Sequence, residues 1–270
     1  MTHSFDQSIS LNQIERTDQR ARYSGAVTDT YQNMIGPFGG VSAALLAEGM
    51  SLAARDGTEL VSITTDFMTG MTEGPLDLSA ICHRAGKSTE FWAASIKQPN
   101  GTSPALRATG VFSQRRETLA WTEGQMPDVP PPDDCARFIP PRAWGDRIDI
   151  RPATNTEIFN SNSTANTLWA KFAEPRALDP VGLVCLADTP TPRVFFVSKS
   201  FVPLSTISLT VYLHASADDY AEVGDDFVLL DVNAARGGGG FYDQHARMWS
   251  RSGKLLATTQ QMVWFKADNS

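Results

Sequence analysis

The feature that most constrains the fold is an apolar stretch at residues 32–54, QNMIGPFGGVSAALLAEGMSLAA. A Gly-Pro pair and then Gly39-Gly40 prevent a regular element before Val41, because glycine and proline favour turns. From Val41 onward the residues are helix formers with almost no polar face, and Glu48 is the one charge in the middle. A helix that is apolar on every side is buried in a protein core. The stretch therefore predicts a core helix that organises the rest of the chain.

Gly39 and Gly40, at the start of this helix, allow two interpretations. Without side chains at these positions, a ligand could approach the free N–H groups of the first helical turn. The alternative is a plain core helix that is entered through a flexible segment. The sequence leaves both interpretations open.

Composition excludes several classes of function. The chain has 270 residues, 41% of them hydrophobic and 20% charged, which is typical of a globular protein with one large or two small domains. The net charge of -7 argues against nucleic acid or an anionic membrane as a partner. No apolar run reaches transmembrane length, and the polar start does not resemble a signal peptide. We therefore predict a cytoplasmic protein.

Cysteine and histidine are too scattered to predict a metal site. Cys82, Cys135 and Cys185 show no metal-like spacing, and we interpret them as reduced thiols. No two of the four histidines lie at ligand spacing. We therefore predict neither a metal nor another cofactor.

Two series of strands are predicted, one in each half of the chain. β-Branched residues, alternation and a hairpin signal at Asn100-Gly101 support the first series. It comprises one or two strands within 11–27, then strands at 60–67, 76–83, 89–97 and 105–114. In the second half a short apolar helix follows Asp179-Pro180, a typical N-cap and first helical residue. The strands of this half are predicted at 164–173, 207–214, 227–234, 241–249 and 254–265.

The two halves repeat one plan, which is the strongest signal of domain organisation. A glycine, an alanine and an aromatic residue recur in the same order 152 positions later. The matched sets are Gly101, Ala105 and Phe112, and Gly253, Ala257 and Trp264. A proline-rich, acidic segment between the halves suits an extended linker. We predict an N-terminal unit at 1–116, a linker at 117–142 and a C-terminal unit at 143–270.

Each half of the chain is predicted to have an apolar helix and an antiparallel meander, and the first helix is buried and begins with Gly-Gly. This arrangement resembles that of a double hot-dog protein. The family that the chain resembles is the TesB-like (type II) acyl-CoA thioesterases. The resemblance covers most of the chain except the linker and the N-terminal residues. The motifs that carry it are GPFGG (36–40), VSITTDF (61–67), LADTPTP (186–192), SLTVYLH (208–214) and GKLLATTQQMVWF (253–265). It implies an α+β fold of two tandem hot-dog units, each an antiparallel sheet wrapped around a central helix.

The resemblance also implies a hydrolase that cleaves acyl thioesters by direct attack of water, without a covalent intermediate. In this family an Asp, a Ser or Thr, and a Gln from the second half hold and polarise the attacking water. The Gln corresponds to Gln261, whereas the Asp position falls on Ser208, counted back from His214, and the hydroxyl position falls near Ala235. Two of the three positions are therefore substituted, and we expect Gln261 to orient the water with help from Ser208.

Hydrolysis also requires a group that can deprotonate water, and neither Gln261 nor Ser208 is a base at neutral pH. Three carboxylates are candidates. Asp188 ends the second helix, and its alternative role is that of a turn residue. Glu48 lies on the first helix, where related hot-dog enzymes place a catalytic acid, although it could equally be a solvated or ion-paired residue. Asp66 alternates with apolar residues on a strand and could simply face solvent. We assign Asp188 and Glu48 to the catalytic set.

Four residues are assigned to substrate binding. The N–H groups of Gly39 and Gly40 could stabilise negative charge on the thioester carbonyl oxygen. Asn33, in the turn before the helix, could donate to a ligand or could only form the turn. Thr210 lies on the same predicted strand as Ser208.

We therefore predict an acyl-CoA thioesterase-like enzyme acting on a thioester of CoA or of a carrier protein. The sequence contains no GxSxG nucleophile elbow. Two alternatives remain: a protein that binds acyl thioesters without hydrolysing them, and a hot-dog enzyme of the hydratase or cyclase type that transfers protons on an acyl group. The family resemblance also suggests association into a homo-oligomer.

Overall fold

The computed structural model describes residues 2–159 and 161–267. Contacts within the chain divide it into two compact units. Unit 1 comprises the chain through Ala120 together with Pro140–Arg147 and Asp179–Cys185. Unit 2 comprises Trp121–Ile139, Ile148–Leu178 and the chain from Leu186 onward.

The described residues of the first part of the chain form two helices and six strands. They are α1 (Ser4–Ser8), β1 (Asn12–Arg16), β2 (Arg20–Val27), α2 (Gly39–Ala53), β3 (Glu59–Phe67), β4 (Gly74–Ala85), β5 (Thr89–Lys97) and β6 (Leu106–Ser113). The strands form one antiparallel sheet in the order β1-β2-β4-β5-β6-β3. The meander predicted after the helix is confirmed, and its strand ends agree with the predictions to within two residues.

Helix α2 lies against this sheet and contacts strands β2 to β6. Its side chains are buried around almost its whole circumference, as the lack of a polar face predicts. Alanine and glycine at many positions let the surrounding strands approach closely. The predicted core helix is therefore confirmed.

Where the structure describes the second part of the chain, it has three short helices and seven strands. They are β7 (Ile148–Pro152), β8 (Asn166–Phe172), α3 (Pro180–Leu186), α4 (Val194–Val197), β9 (Leu204–Leu213), α5 (Ala217–Val223), β10 (Val228–Asn233), β11 (Gly237–Gly238), β12 (Phe241–Ser250) and β13 (Leu255–Phe265). Short 3-10 turns occur at Asp29–Tyr31, Pro132–Asp134 and Ala143–Asp146. The sheet of unit 2 is antiparallel in the order β9-β13-β12-β10-β8-β7, with β11 paired to β12.

The proline-rich segment between the halves is packed along part of its length. Met126, Val129 and Cys135 pack against a core cluster of unit 2 that includes Trp169. The indole Nε1 of Trp169 donates to the carbonyl of Pro130 at 2.9 Å. Its prolines disfavour helix and strand, and apart from the 3-10 turn at Pro132–Asp134 this part of the segment packs on unit 2 without regular structure.

No helix among the described residues is both long and apolar enough to cross a bilayer.

Candidate functional site

Gln261 is a polar residue on the buried face of the unit 2 sheet. Alternation along β13 turns Thr259, Gln261 and Val263 inward, while Gln260 and Met262 point to the other face. The side chain of Gln261 is almost completely buried. A buried amide must be hydrogen-bonded, so its partners identify the local polar site.

Three side chains form hydrogen bonds with this amide. Gln261 Nε2 donates to Asp188 Oδ1 at 2.6 Å and to Thr206 Oγ1 at 3.1 Å. Gln261 Oε1 accepts from Gln244 Nε2 at 2.5 Å. Both N–H bonds of the Gln261 amide are therefore used, one on a carboxylate and one on a hydroxyl. We call Asp188, Thr206, Gln244 and Gln261 the amide cluster.

A β-bulge brings Thr206 rather than Ser208 into the amide cluster. Strand β9 pairs Ser208 with Met262, but the next inward pair is Thr206 with Val263, so Ile207 is the extra residue. Residues that pair directly across two strands share a face of the sheet. Ser208 therefore lies on the face opposite Gln261, together with the half-exposed Met262.

Asp188 enters the cluster from the turn that follows α3. Asp179 caps this helix as predicted, because its Oδ1 accepts from the N–H of Gly182 at 2.6 Å. After the helix ends, Thr189 donates through its hydroxyl to the carbonyl of Leu186 at 2.7 Å. The tight turn leaves Asp188 half-buried, with one carboxylate oxygen on Gln261.

Arg193 holds the loop that carries Asp188. Its guanidinium is 1% exposed and donates to the carbonyls of Thr191 and Thr164 and to Asn166 Oδ1, at distances between 2.5 and 3.0 Å. Burial lowers the pKa of Arg193 to about 9, so this group is still protonated at neutral pH. Donating several hydrogen bonds to buried oxygens fixes the course of the loop.

Tyr242 borders the amide cluster on its apolar side. It precedes Gln244 by two residues on β12 and therefore shares its face, opposite Val263. Burial raises the pKa of Tyr242 well above its usual value, while the charge of Arg193 lowers the pKa of this phenol and the charge of Asp188 raises it, each by less. Tyr242 packs with Val194 and Val263 into an apolar cluster. One side of the polar site is therefore closed by nonpolar groups.

The predicted residues of unit 1 lie on α2 and in the turn before it. Glu48 is half-buried on α2, and its charge contributes to the raised pKa of Tyr23, which burial raises in the first place. Eight positions along a helix correspond to about 12 Å, so Glu48 is distant from Gly40. Asn33 lies in the turn before α2, where its N–H donates to the carbonyl of Gly36 at 2.7 Å.

Gly40 has a packing role in the structure. A Cβ atom at this position would lie 2.2 Å from the carbonyl oxygen of Cys185 on α3 and 2.5 Å from the ring of Phe38. The glycine therefore lets the backbones of α2 and α3 come into contact. Phe38 precedes the first residue of α2, Gly39, and makes no side-chain cap there.

The remaining assigned positions lie on the other face of the unit 2 sheet or on its loops. Thr210 pairs with Gln260 and so faces away from Gln261. The N–H of Ala235, near the family's hydroxyl position, donates to Asp243 Oδ2 at 3.1 Å. Among the residues in 2–159 and 161–267, no three His, Cys, Asp or Glu side chains are grouped so as to hold a metal ion.

The amide cluster contains two residues that the sequence argument did not assign, Thr206 and Gln244. The alternation on β13 was a usable signal for Gln244, because the paired strand β12 must place one residue directly opposite Gln261. No comparable signal existed for Thr206, since a bulge shifts the register without a distinctive residue at this position.

Two models of one family match the chain. The model of the acyl-CoA thioesterase N-terminal domain matches residues 28–113, and the model of the C-terminal domain matches residues 122–265. The second match alone covers more than half of the chain. No curated protein matches the sequence.

Solved structures agree with these matches. A conserved protein of unknown function with a hot dog fold from Alicyclobacillus acidocaldarius is 33% identical, with a TM-score of 0.92 over 99% of this chain and 100% of that one. The acyl-CoA thioesterase II TesB2 from Mycobacterium marinum is 18% identical, with a TM-score of 0.77 over 98% and 99% of the two chains. The tesB protein of Mycobacterium avium subs paratuberculosis is also 18% identical, with a TM-score of 0.76 over 97% and 98%.

The two structures at 18% identity support the fold, and the family models support the family. The predicted double hot-dog fold is thus confirmed. The chain belongs to the TesB-like acyl-CoA thioesterase family.

Proposed function

We propose that this protein hydrolyses acyl-CoA thioesters at the amide cluster, with Asp188 as the general base. The observation that carries the proposal is the hydrogen bond of Gln261 Nε2 to the Asp188 carboxylate at 2.6 Å, beside its bond to Thr206. A carboxylate and a hydroxyl oxygen that share one amide are close enough to bind one water molecule together. Family membership supports the reaction class.

The reaction is written with water as the nucleophile. The water molecule donates one hydrogen to Asp188 and the other to Thr206 Oγ1, which leaves a lone pair for the thioester carbonyl carbon. The new C–O bond forms as Asp188 takes a proton from the water. The C–S bond then breaks, and the leaving thiolate takes up the proton that Asp188 accepted. The free thiol and the carboxylic acid are the products, and the Asp188 carboxylate is regenerated. No covalent acyl-enzyme is formed.

The proposal takes its carboxylate and its hydroxyl from positions other than those expected from the family resemblance. The count along the sequence placed the family's Asp at Ser208, which faces away from Gln261, so a carboxylate for hydrolysis must come from another element. Asp188 supplies one from the turn after α3, and Thr206 supplies a hydroxyl from β9. Gln261 bonds both groups and so keeps them together.

The sequence also leaves open a second function, the binding of acyl thioesters without hydrolysis. The count along the sequence placed the family's Asp at Ser208, and a related fold without that residue could keep its ligand after losing the reaction. This protein would be thermally stabilised by acyl-CoA and would release no thiol.

Thr206 and Ser208 provide a matched test of the proposed site. We expect Thr206→Val to lower kcat for thioester hydrolysis about 30-fold, because valine keeps the shape but cannot bind the water. Ser208→Ala should leave kcat within about twofold, because this side chain lies on the other face of the sheet. Release of free thiol from an acyl-CoA measures both variants. If Ser208→Ala lowers kcat and Thr206→Val does not, the catalytic hydroxyl is that of Ser208 and the proposed site is wrong.

Other properties stay predictions. We propose a thioester of CoA as the substrate, and we expect a cytoplasmic protein that associates into a homo-oligomer.

A further inference from the structure

Gln244 and Gln261 face each other on neighbouring strands of the unit 2 sheet. They pair directly between β12 and β13, and their side chains are 3% and 7% exposed. Gln244 Nε2 donates to Gln261 Oε1 at 2.5 Å. Two buried amides on a sheet face that is otherwise mostly apolar are costly to desolvate, so a specific reason for the pair is expected.

The direction of this hydrogen bond follows from the chemistry of the cluster. An ionised carboxylate only accepts hydrogen bonds, so Gln261 must turn its NH₂ group toward Asp188. Its carbonyl oxygen must then point the opposite way, toward Gln244. A carbonyl oxygen requires a donor, and the NH₂ group of Gln244 provides it.

We propose that Gln244 is a positioning residue that fixes the orientation of the Gln261 amide and, through it, the positions of Asp188 and Thr206. The inference deepens the proposed function and rests on it for its catalytic consequence. Without the Gln244 donor, the Gln261 amide could rotate by half a turn. Its oxygen would then face Asp188 Oδ1, and the repulsion would move the carboxylate away from the water that it must deprotonate.

Gln244→Glu tests the role through activity. The new carboxylate cannot donate at neutral pH. Gln261 would therefore have to turn its NH₂ group toward position 244 and its oxygen toward Asp188. We expect kcat to fall about 100-fold while KM changes less than about threefold, because the change affects the base rather than the bound acyl group. Gln244→Met, which removes the donor without adding charge, should lower kcat about tenfold.

Gln260→Glu is the matched control. It introduces the same group at the neighbouring position of β13, on the exposed face of the sheet. We expect this variant to keep kcat within about twofold. If both Gln244 variants keep wild-type kcat, or if they raise KM and leave kcat unchanged, the positioning role is overturned.

A thermal double-mutant cycle tests the orientation without relying on turnover. Gln244→Glu should lower Tm by about 5 °C when Asp188 is present, because two acceptors then compete for one NH₂ group. In the Asp188→Asn background the same change should lower Tm by less than about 2 °C. An asparagine at position 188 can donate to the rotated oxygen of Gln261, so the whole chain of hydrogen bonds can reverse.

The outcomes of the cycle separate the inference from the proposed function. A smaller loss of Tm in the Asp188→Asn background supports the orientation role even if the wild-type protein releases no thiol. Equal losses in the two backgrounds mean that Gln244 acts independently of Asp188, and the inference fails. If Gln244→Glu does not fold in the Asp188 background but folds in the Asp188→Asn background, the predicted coupling is also established.

Discussion

We expect Asp188→Asn to lower kcat for acyl-CoA hydrolysis about 1,000-fold while substrate binding is retained. The asparagine keeps the size of the side chain, and its carbonyl oxygen can still accept from Gln261 Nε2, as Asp188 Oδ1 does at 2.6 Å. It cannot take a proton from water at neutral pH, and loss of a general base costs about 10²- to 10⁴-fold. The measurement is the rate of thiol release at saturating acyl-CoA.

Asp66→Asn is the control for this prediction. Asp66 forms an exposed ion pair with Arg107 at 2.8 Å, and such pairs contribute less than about 1 kcal/mol. We expect this variant to keep kcat within about twofold. The Asp188→Asn protein should also show the same shift in Tm on adding acyl-CoA as the wild type. A kcat within tenfold of the wild type would rule out Asp188 as the base.

Of the substitutions proposed here, Gly40→Ala is expected to cause the largest loss of thermal stability. The added Cβ would lie 2.2 Å from the backbone oxygen of Cys185, and a backbone carbonyl cannot move without shifting α3. Overpacking of this kind costs about 1–3 kcal/mol or more, and here neither neighbour is a flexible chain end. We expect Tm to fall by about 10 °C, measured by the loss of helical circular dichroism on heating.

Gly49→Ala provides the matched comparison on the same helix. Its Cβ would meet the side chain of Leu78 at 2.5 Å, and a leucine side chain can change rotamer. Alanine also favours the helix over glycine by up to about 1 kcal/mol. The loss of Tm should therefore be less than half that of Gly40→Ala. Equal losses would mean that contact with the Cys185 carbonyl is not the reason for glycine at position 40.

Much of the fold could be predicted because local patterns and tertiary structure agree. The apolar circumference of α2 required burial, and the alternating strands after it required a sheet to cover it. The recurrence of the same residues 152 positions later indicated a second unit of the same type. The boundaries of the proline-rich segment at 117–142 stay a prediction.

The elements that were not predicted have physical reasons. Helices α1 and α4 have only five and four residues, which is too short for a helical period to be visible. Strand β7 has only five residues and ends at Pro152, so its alternation is too short to be distinctive. Helix α5 was also not predicted, although the sequence carries a signal for it: Ser216 and Asp219 form a capping box at its start.

The sequence could predict only those residues of the candidate site whose side-chain chemistry matched a catalytic role. Gln261 and Asp188 were assigned from the family resemblance and from the need for a base, and the structure brings them within hydrogen-bonding distance. Ser208 was assigned by counting along β9, but the count cannot detect the bulge at Ile207. The four residues of the amide cluster belong to unit 2, whereas Glu48 lies on α2 in unit 1.

The most direct test of the account is the release of free thiol by the purified wild-type protein from a panel of acyl-CoAs, from short to long and including aromatic acyl groups. We predict turnover of at least one of them, with equal amounts of thiol and carboxylic acid formed. The relative rates would also identify the preferred acyl group. Thermal stabilisation by the same compounds without any thiol release would contradict the account, because the protein would then bind acyl thioesters without hydrolysing them.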